Sequence, residues 1–191
     1  MHPIINKLQI LEENQPPGAA IDLNHIILIL GTLLSAKPEN ILELGIGTGK
    51  TSEILIQGIK YNKKGYLTCV DNLMDLDGNM SREIFESLKK RNISIVQSNE
   101  RDFVYRTGDN QYQFLVSDAD HLAANQWINE IFRIMSPNSF CFFHDIGPNY
   151  SNLLEYKIKS DELGKPNYLF NISSRPEENC ERGLLMVINK K

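Results

Sequence analysis

The sequence predicts an α/β protein with a mostly parallel sheet and helices on both faces. Short, continuously apolar runs typical of buried strands alternate with helical segments along most of the chain. The first of these strands runs into glycines at positions 45, 47 and 49, and a helical pattern begins directly after them. Near the C-terminus two strand-like runs are joined by a loop with no room for a helix. We therefore expect this pair to be antiparallel.

Turn and cap residues set the limits of the predicted elements. Lys37-Pro38 ends the first helix, Gly65 opens the second strand, Ser81 is a plausible N-cap, and Ser136-Pro137-Asn138 ends a later helix. The predicted helices span residues 22–36, 48–59, 81–91, 100–106, 122–135 and 152–163. The predicted strands span residues 40–45, 66–70, 93–96, 113–117, 140–143, 168–172 and 184–188.

Length and composition fit one domain of ordinary size. The chain has 191 residues, of which 41% are hydrophobic and 23% charged. A net charge of −4 disfavours nucleic acid as a partner. The three cysteines have no zinc-site spacing, and their odd number argues against a disulfide framework. The chain shows neither a secretory signal nor an apolar run long enough to cross a bilayer, so we expect a cytoplasmic protein without membrane contact.

The glycine loop itself leaves several ligands open. A dinucleotide fingerprint, G-x-G-x-x-G, requires glycine where the chain has Lys50. Gly49-Lys50-Thr51 is similar to the end of a phosphate-binding loop, and Asp118 follows a strand that could hold its magnesium. However, Gly45 leaves only three residues between the glycines where that loop has four. A nucleotide-binding hydrolase is therefore an alternative with a loop one residue too short.

The run from Glu43 to Gly49 resembles the E/D-x-G-x-G-x-G signature of class I S-adenosylmethionine-dependent methyltransferases. The resemblance covers about residues 20–190 in the order of elements. It implies a Rossmann-like fold of seven strands in the order 3-2-1-4-5-7-6, with strand 7 reversed. It also implies a single domain over residues 1–191, with an N-terminal helical segment at 1–36 and the core at 37–191.

The same resemblance implies the residues that bind S-adenosylmethionine. Its methionine part would lie against backbone N–H groups of the glycine loop, where a Cβ would hold the ligand away. Asp71 closes the second strand where the family binds ribose, and Asn99-Glu100 lies where the family contacts adenine. The implied cofactor-binding residues are Glu43, Gly45, Ile46, Gly47, Thr48, Gly49, Asp71, Asn72, Asn99, Glu100 and Asp118.

Acidic residues and histidines follow two adjacent strands. Residues 117–121 read Ser-Asp-Ala-Asp-His and residues 142–146 read Phe-Phe-His-Asp-Ile. Because the carboxyl ends of parallel strands share one edge of a sheet, Asp118 and Asp145 could converge. The two segments resemble the D-G-D-H and F-H-D-[IV] motifs of a bacterial subgroup that includes small-molecule O-methyltransferases. The candidate catalytic residues are Asp118, His121, His144 and Asp145. His121 and His144 are the candidate bases, since an ordinary imidazole can take a hydroxyl proton at neutral pH.

A magnesium ion is a further implication of the resemblance. In related catechol-type enzymes the carboxylates at these two strand ends hold Mg²⁺, which makes Asp118 and Asp145 candidate ligands. Ile146 stands where those enzymes carry Asn or Asp, so the third ligand is missing from the sequence.

The predicted function is S-adenosylmethionine-dependent methyl transfer to an oxygen of a small-molecule acceptor, by a monomer or a homodimer. The chain lacks the Asn/Asp-Pro-Pro-Tyr/Phe motif of enzymes that methylate amines of bases, which disfavours that acceptor. A non-catalytic cofactor-binding module on the same fold is the other alternative.

Overall fold

The computed structural model describes residues 21–73, 85–91, 93–119, 124–146, 151–170 and 183–190. The helices are α1 (Leu23–Ala36), α2 (Lys50–Asn62), α3 (Glu100–Arg106), α4 (Ile128–Ile134) and α5 (Ser151–Glu162). The strands are β1 (Asn40–Leu44), β2 (Tyr66–Asp71), β3 (Ser94–Gln97), β4 (Tyr112–Ser117), β5 (Met135–Ile146), β6 (Asn167–Phe170) and β7 (Gly183–Asn189). Residues 85–89 are also helical, and Ala124–Trp127 forms a 3₁₀ turn before α4.

The seven strands form one sheet in the order β3-β2-β1-β4-β5-β7-β6. Strands β1 to β5 pair in parallel, whereas β7 is antiparallel to both β5 and β6. This confirms the predicted fold class, including the C-terminal hairpin. The strand order reverses between β1 and β4, and in open α/β sheets ligands bind outside the carboxyl ends of the strands at such a switch point.

Each face of the sheet is covered by a separate apolar cluster. Ile41 and Phe114 face one cluster, which includes side chains of α1 and α2. Leu42 and Leu115 face the other, which includes Ile131 and other side chains of α4. Because both faces are buried, the strands are apolar at consecutive positions, as the sequence indicated. Cys69 and Cys141 are buried free thiols in these strands. Among the described helices none is long and apolar enough to span a bilayer.

The main departure from the predicted elements is the length of β5. Ser136-Pro137-Asn138 was predicted to separate helix from strand, yet it lies inside β5, which begins at Met135. Asn138 has a φ of +62°, and the pairing of β4 with β5 shifts register in this region. The side-chain amide of Asn189 in β7 donates to the carbonyls of Phe132 (3.1 Å), Met135 (2.8 Å) and Ser136 (3.2 Å). The Asn189 side chain thus supplies hydrogen bonds to backbone carbonyls that a turn would leave unpaired, although it lies more than 50 residues away in the chain.

Candidate methyltransferase site

The glycine loop lies between β1 and α2 at the switch point of the sheet. Gly45, Gly47 and Gly49 all have positive φ, at +85°, +48° and +74°. A Cβ added to Gly45 would lie 2.5 Å from the carbonyl oxygen of Asp118, whereas a Cβ on Gly47 would meet nothing within 4 Å. Gly45 therefore allows close contact with the end of β4, and Gly47 faces open space where a ligand can approach.

Several backbone donors of this loop are already used within the protein. The N–H of Gly45 donates to the Val70 carbonyl (2.9 Å), and the N–H of Gly49 donates to the Ile46 carbonyl (2.8 Å). The N–H of Ile46 donates to Oδ2 of Asp71 (2.8 Å). Of the loop N–H groups that the resemblance implies as donors to the methionine part, those of Gly45, Ile46 and Gly49 therefore already have acceptors within the protein.

Glu43, one of the implied cofactor-binding residues, ends up fully buried next to the glycine loop. Its Oε2 accepts hydrogen bonds from the Ser52 hydroxyl (2.7 Å) and from the Cys69 thiol (3.0 Å). Burial raises the pKa of Glu43 from 4.5 to about 7, although these two hydrogen bonds lower it. Glu43 thus connects β1 to the first turn of α2 and to β2.

The raised pKa of Glu43 makes stability depend on pH. Between pH 4.5 and about 7 the folded state holds a proton that the unfolded state has lost, so stability falls as pH rises. Relative to the Glu43→Gln variant, the free energy of unfolding of the wild type should therefore fall by up to about 3 kcal/mol across this range. Urea unfolding of both proteins at pH 4.5, 6 and 8 measures the difference.

Glu39→Gln is the matched control for this experiment. Glu39 is 67% exposed and pairs with Lys64 at the surface, so its removal should leave the pH dependence of the wild type unchanged. Parallel pH profiles for the wild type and Glu43→Gln would show that Glu43 ionises normally in the folded protein.

Asp71 ends β2 beside the glycine loop, as predicted. Its Oδ2 accepts the Ile46 N–H and its Oδ1 accepts the N–H of Leu73 (2.6 Å). Leu73 has a left-handed φ of +61°, which this second hydrogen bond helps to hold. Each carboxylate oxygen can accept a further hydrogen bond. Asn72 lies between these positions and is exposed.

The two residues expected near adenine lie at different depths. Asn99 is exposed and caps α3, where its side-chain oxygen accepts the N–H of Arg101 (2.9 Å). Glu100 is buried, and its carboxylate accepts from the indole N–H of Trp127 at 3.4 Å. Asn99 is therefore the more accessible of the pair, and Glu100 packs under the 3₁₀ turn.

Lys50 begins α2 at the position that a phosphate-binding loop would require. Its side chain is buried, and its ammonium donates to the carbonyl of Ile21, before α1, at 3.1 Å. A lysine that binds phosphates has to extend into an open loop. The contact of Lys50 with Ile21 therefore disfavours the nucleotide-hydrolase alternative.

The predicted catalytic residues Asp118, His144 and Asp145 do converge. Nδ1 of His144 lies 3.0 Å from Oδ1 of Asp118 and 3.3 Å from Oδ1 of Asp145. Asp118 is the most accessible, with 26% of its side chain exposed, while the side chains of His144 and Asp145 are buried. His144 and Asp145 lie within β5 rather than after it, and Asp145 has a φ of +57°. His121 lies outside the described residues.

The electrostatics of this cluster favour a positive charge between the carboxylates. Burial by itself lowers the pKa of His144. The charges of Asp118 and Asp145, and the hydrogen bond to Asp118, raise this pKa by more, so the net shift is upward. His144 therefore tends to hold its proton against two carboxylates, and the accessible group of the cluster is the carboxylate of Asp118.

Sequence analysis did not single out Asp22 or His25, which lie against this cluster. Both are buried at the start of α1, and the ring of His25 packs edge-on against His144 with 5.3 Å between centroids. The pKa of His25 is lowered to about 4, mainly by burial and also by His144. Asp22, Asp118 and the Phe170 carbonyl raise this pKa by smaller amounts. Asp22 is the N-cap of α1 and His25 lies in its first turn, and their spacing of three residues was the signal available in the sequence.

The reversed seventh strand and the glycine loop at the switch point define the methyltransferase variant of the Rossmann-like architecture. A protein family described as "Methyltransferase domain" matches residues 42–146, more than half of the chain. The chain belongs to this family. Among curated protein sequences, none is significantly similar to it.

Solved methyltransferases share the fold at low sequence identity. TomG, an O-methyltransferase of tomaymycin synthesis from Streptomyces achromogenes in complex with SAM, is 12% identical, with a TM-score of 0.71 over 100% of this chain and 91% of that one. An O-methyltransferase from Bacillus cereus in complex with SAH is 12% identical, with a TM-score of 0.70 over 98% and 91%. A methyltransferase from Geobacter sulfurreducens is 15% identical, with a TM-score of 0.68 over 100% and 90%.

Proposed function

We propose that this protein transfers the methyl group of S-adenosylmethionine to an oxygen of a small-molecule acceptor. Membership of the methyltransferase family supports the reaction. Two solved proteins of the same fold were crystallised with SAM or SAH, which supports the cofactor.

The observation that carries the oxygen-directed proposal is the position of Asp118. Its backbone packs directly against Gly45 of the loop, and its side chain joins His144 and Asp145. A hydroxyl acceptor has to lose its proton as the methyl group arrives, and a carboxylate at the edge of the cofactor site can accept that proton.

The backbone donors of the loop suggest how the cofactor would bind. Since the N–H groups of Gly45, Ile46 and Gly49 have acceptors within the protein, we assign the methionine carboxylate to the N–H groups of Gly47 and Thr48. The remaining lone pairs of Asp71 would accept from the ribose hydroxyls, and Asn99 would lie on the adenine side.

The chemistry that the cofactor supplies is a methyl group on a positively charged sulfur. The protein's part is to align an acceptor oxygen in line with that methyl group and to take its proton. Asp118 is the proposed proton acceptor. His144, buried behind it, is a positioning residue that holds the Asp118 carboxylate by the 3.0 Å hydrogen bond from Nδ1. Oδ1 of Asp145 lies 3.3 Å from the same nitrogen.

Asp118 and Asp145 do not fit the magnesium site of catechol-type enzymes. The imidazole of His144 lies between the two carboxylates, at 3.0 and 3.3 Å, where a shared ion would sit. The next residue, Ile146, is fully buried and apolar, so it offers no oxygen ligand. We therefore assign no step to Mg²⁺.

A pooled metabolite extract incubated with methyl-labelled S-adenosylmethionine tests the proposed function. We expect a labelled small molecule whose fragmentation places the new methyl group on oxygen, formed equally with and without added Mg²⁺ because no step depends on that ion. Binding of S-adenosylhomocysteine without any labelled product would instead support the non-catalytic module. A product methylated on nitrogen or carbon would contradict the choice of acceptor.

A further inference from the structure

Three buried side chains meet where the start of α1 contacts the end of β5. Asp22, His25 and His144 are 1%, 0% and 2% exposed. Each contributes one possible ligand atom, and these atoms all lie within 4.8 Å of one another. Asp22 is the N-cap residue of α1, and His25 lies three residues later in its first turn. His144 comes from β5.

Imidazole nitrogens in this group lack hydrogen bonds. Neither ring nitrogen of His25 makes a hydrogen bond of good geometry with a described residue, although the Phe170 carbonyl is near enough to raise the pKa of His25. Nε2 of His144 has no hydrogen-bond partner among the described residues. Nδ1 of His25 lies 3.8 Å from Oδ2 of Asp22, which is too long for a hydrogen bond. Because buried polar atoms without good partners are destabilising, their presence in one cluster indicates that a ligand binds there.

We propose that Asp22, His25 and His144 bind a divalent first-row transition metal ion of the zinc class. Two imidazoles and a carboxylate are a donor set that such ions prefer, whereas Mg²⁺ prefers oxygen ligands. In tetrahedral coordination at about 2.0–2.1 Å the ligand atoms lie about 3.3 Å apart. The ligand atoms now lie within 4.8 Å of one another, so metal binding would require side-chain rotations that bring them to that spacing.

The ion would connect the N-terminal helix to the proposed catalytic carboxylate. Because Nδ1 of His144 contacts Asp118, Nε2 is the atom left for the metal. Metal on Nε2 fixes the proton on Nδ1, which then donates to Asp118, in the carboxylate–histidine–metal arrangement common around bound zinc. This inference goes beyond methyl transfer and requires neither the cofactor nor an acceptor.

Metal binding to the full-length protein tests the site without reference to activity. Protein stripped with EDTA is titrated with Zn²⁺ by calorimetry and with Co²⁺ by visible absorption, with Mg²⁺ as the comparison ion. We expect one Zn²⁺ or Co²⁺ per chain, a rise in Tm on binding, and no Mg²⁺ binding at this site. His25→Ala should weaken Zn²⁺ binding by more than about 100-fold, since even outer-sphere changes cost about 10–100-fold.

Two further variants separate this site from metal binding elsewhere. Asp22→Asn is close to isosteric and should also weaken Zn²⁺ binding if His25→Ala does not fold. Asp102→Asn makes the same chemical change at an exposed carboxylate of α3 and should retain tight binding. Absence of Zn²⁺ and Co²⁺ binding to the wild type would overturn the proposal. So would Zn²⁺ binding that survives both Asp22→Asn and His25→Ala.

Discussion

Asp118→Asn is expected to lower kcat by about 100- to 10,000-fold, the range that loss of a general base produces. The substitution keeps the shape of the side chain but removes the carboxylate that the structure places between the glycine loop and His144. Binding of S-adenosylhomocysteine should change far less, because the loop donors and Asp71 are unaltered. Single-turnover kinetics together with calorimetric titration separate the two effects.

Asp102→Asn is the matched control for that prediction. Asp102 is an exposed aspartate of α3, outside the Asp118 cluster, and its amide variant should have the kcat of the wild type. If Asp118→Asn retained normal turnover, proton removal by this carboxylate would be ruled out. If it lost cofactor binding and turnover in equal measure, Asp118 would act mainly in binding the cofactor.

The second large effect is expected at Gly47. Alanine there should weaken S-adenosylmethionine binding by about 100-fold, because its Cβ projects into the open space at the loop donors. Stability should fall by only about 1–2 kcal/mol, the cost of an L-residue with left-handed φ. Gly45→Ala should instead destabilise the fold by about 2–5 kcal/mol, since its Cβ would clash with the backbone of Asp118.

Gly164→Ala separates backbone strain from ligand contact. Gly164 also has a positive φ, at +63°, and open space around it, but it lies between α5 and β6, away from the loop. Its alanine variant should lose similar stability and bind the cofactor normally. Calorimetry and urea unfolding of the three variants measure both quantities. Unchanged cofactor affinity in Gly47→Ala would place the methionine carboxylate elsewhere.

Sequence patterns predicted the architecture well because they reflect local rules. Continuous apolar strands follow from burial of both sheet faces. The predicted loop between the last two strands is too short for a crossover helix, which predicted an antiparallel pair. The ends of individual elements were predicted less well. Pro137 and Asn138 indicated a break, but the amide of Asn189 allows β5 to begin at Met135. No local pattern contains that distant contact.

In the candidate site, too, local features were predicted and distant contacts were not. The ends of the predicted strands indicated the positions of Gly45, Asp71, Asp118 and Asp145. Their partners could not be predicted, because each hydrogen bond joins residues far apart in the chain: Asp71 with Ile46, and Asp118 with His144. The burial of Glu43 next to the loop and the contact of Lys50 with Ile21 likewise depend on how α1 and α2 pack.

By itself the sequence determined the sheet, its strand order through family resemblance, and the glycine loop with carboxylates at its edge. These follow from periodicity and backbone chemistry, which act over a few residues. Only the tertiary structure decided which carboxylate is accessible, which histidine supports it, and that Asp22 and His25 join the same cluster. Burial, pKa and ligand geometry arise from distances between separate elements, and those distances are set when the helices pack on the sheet.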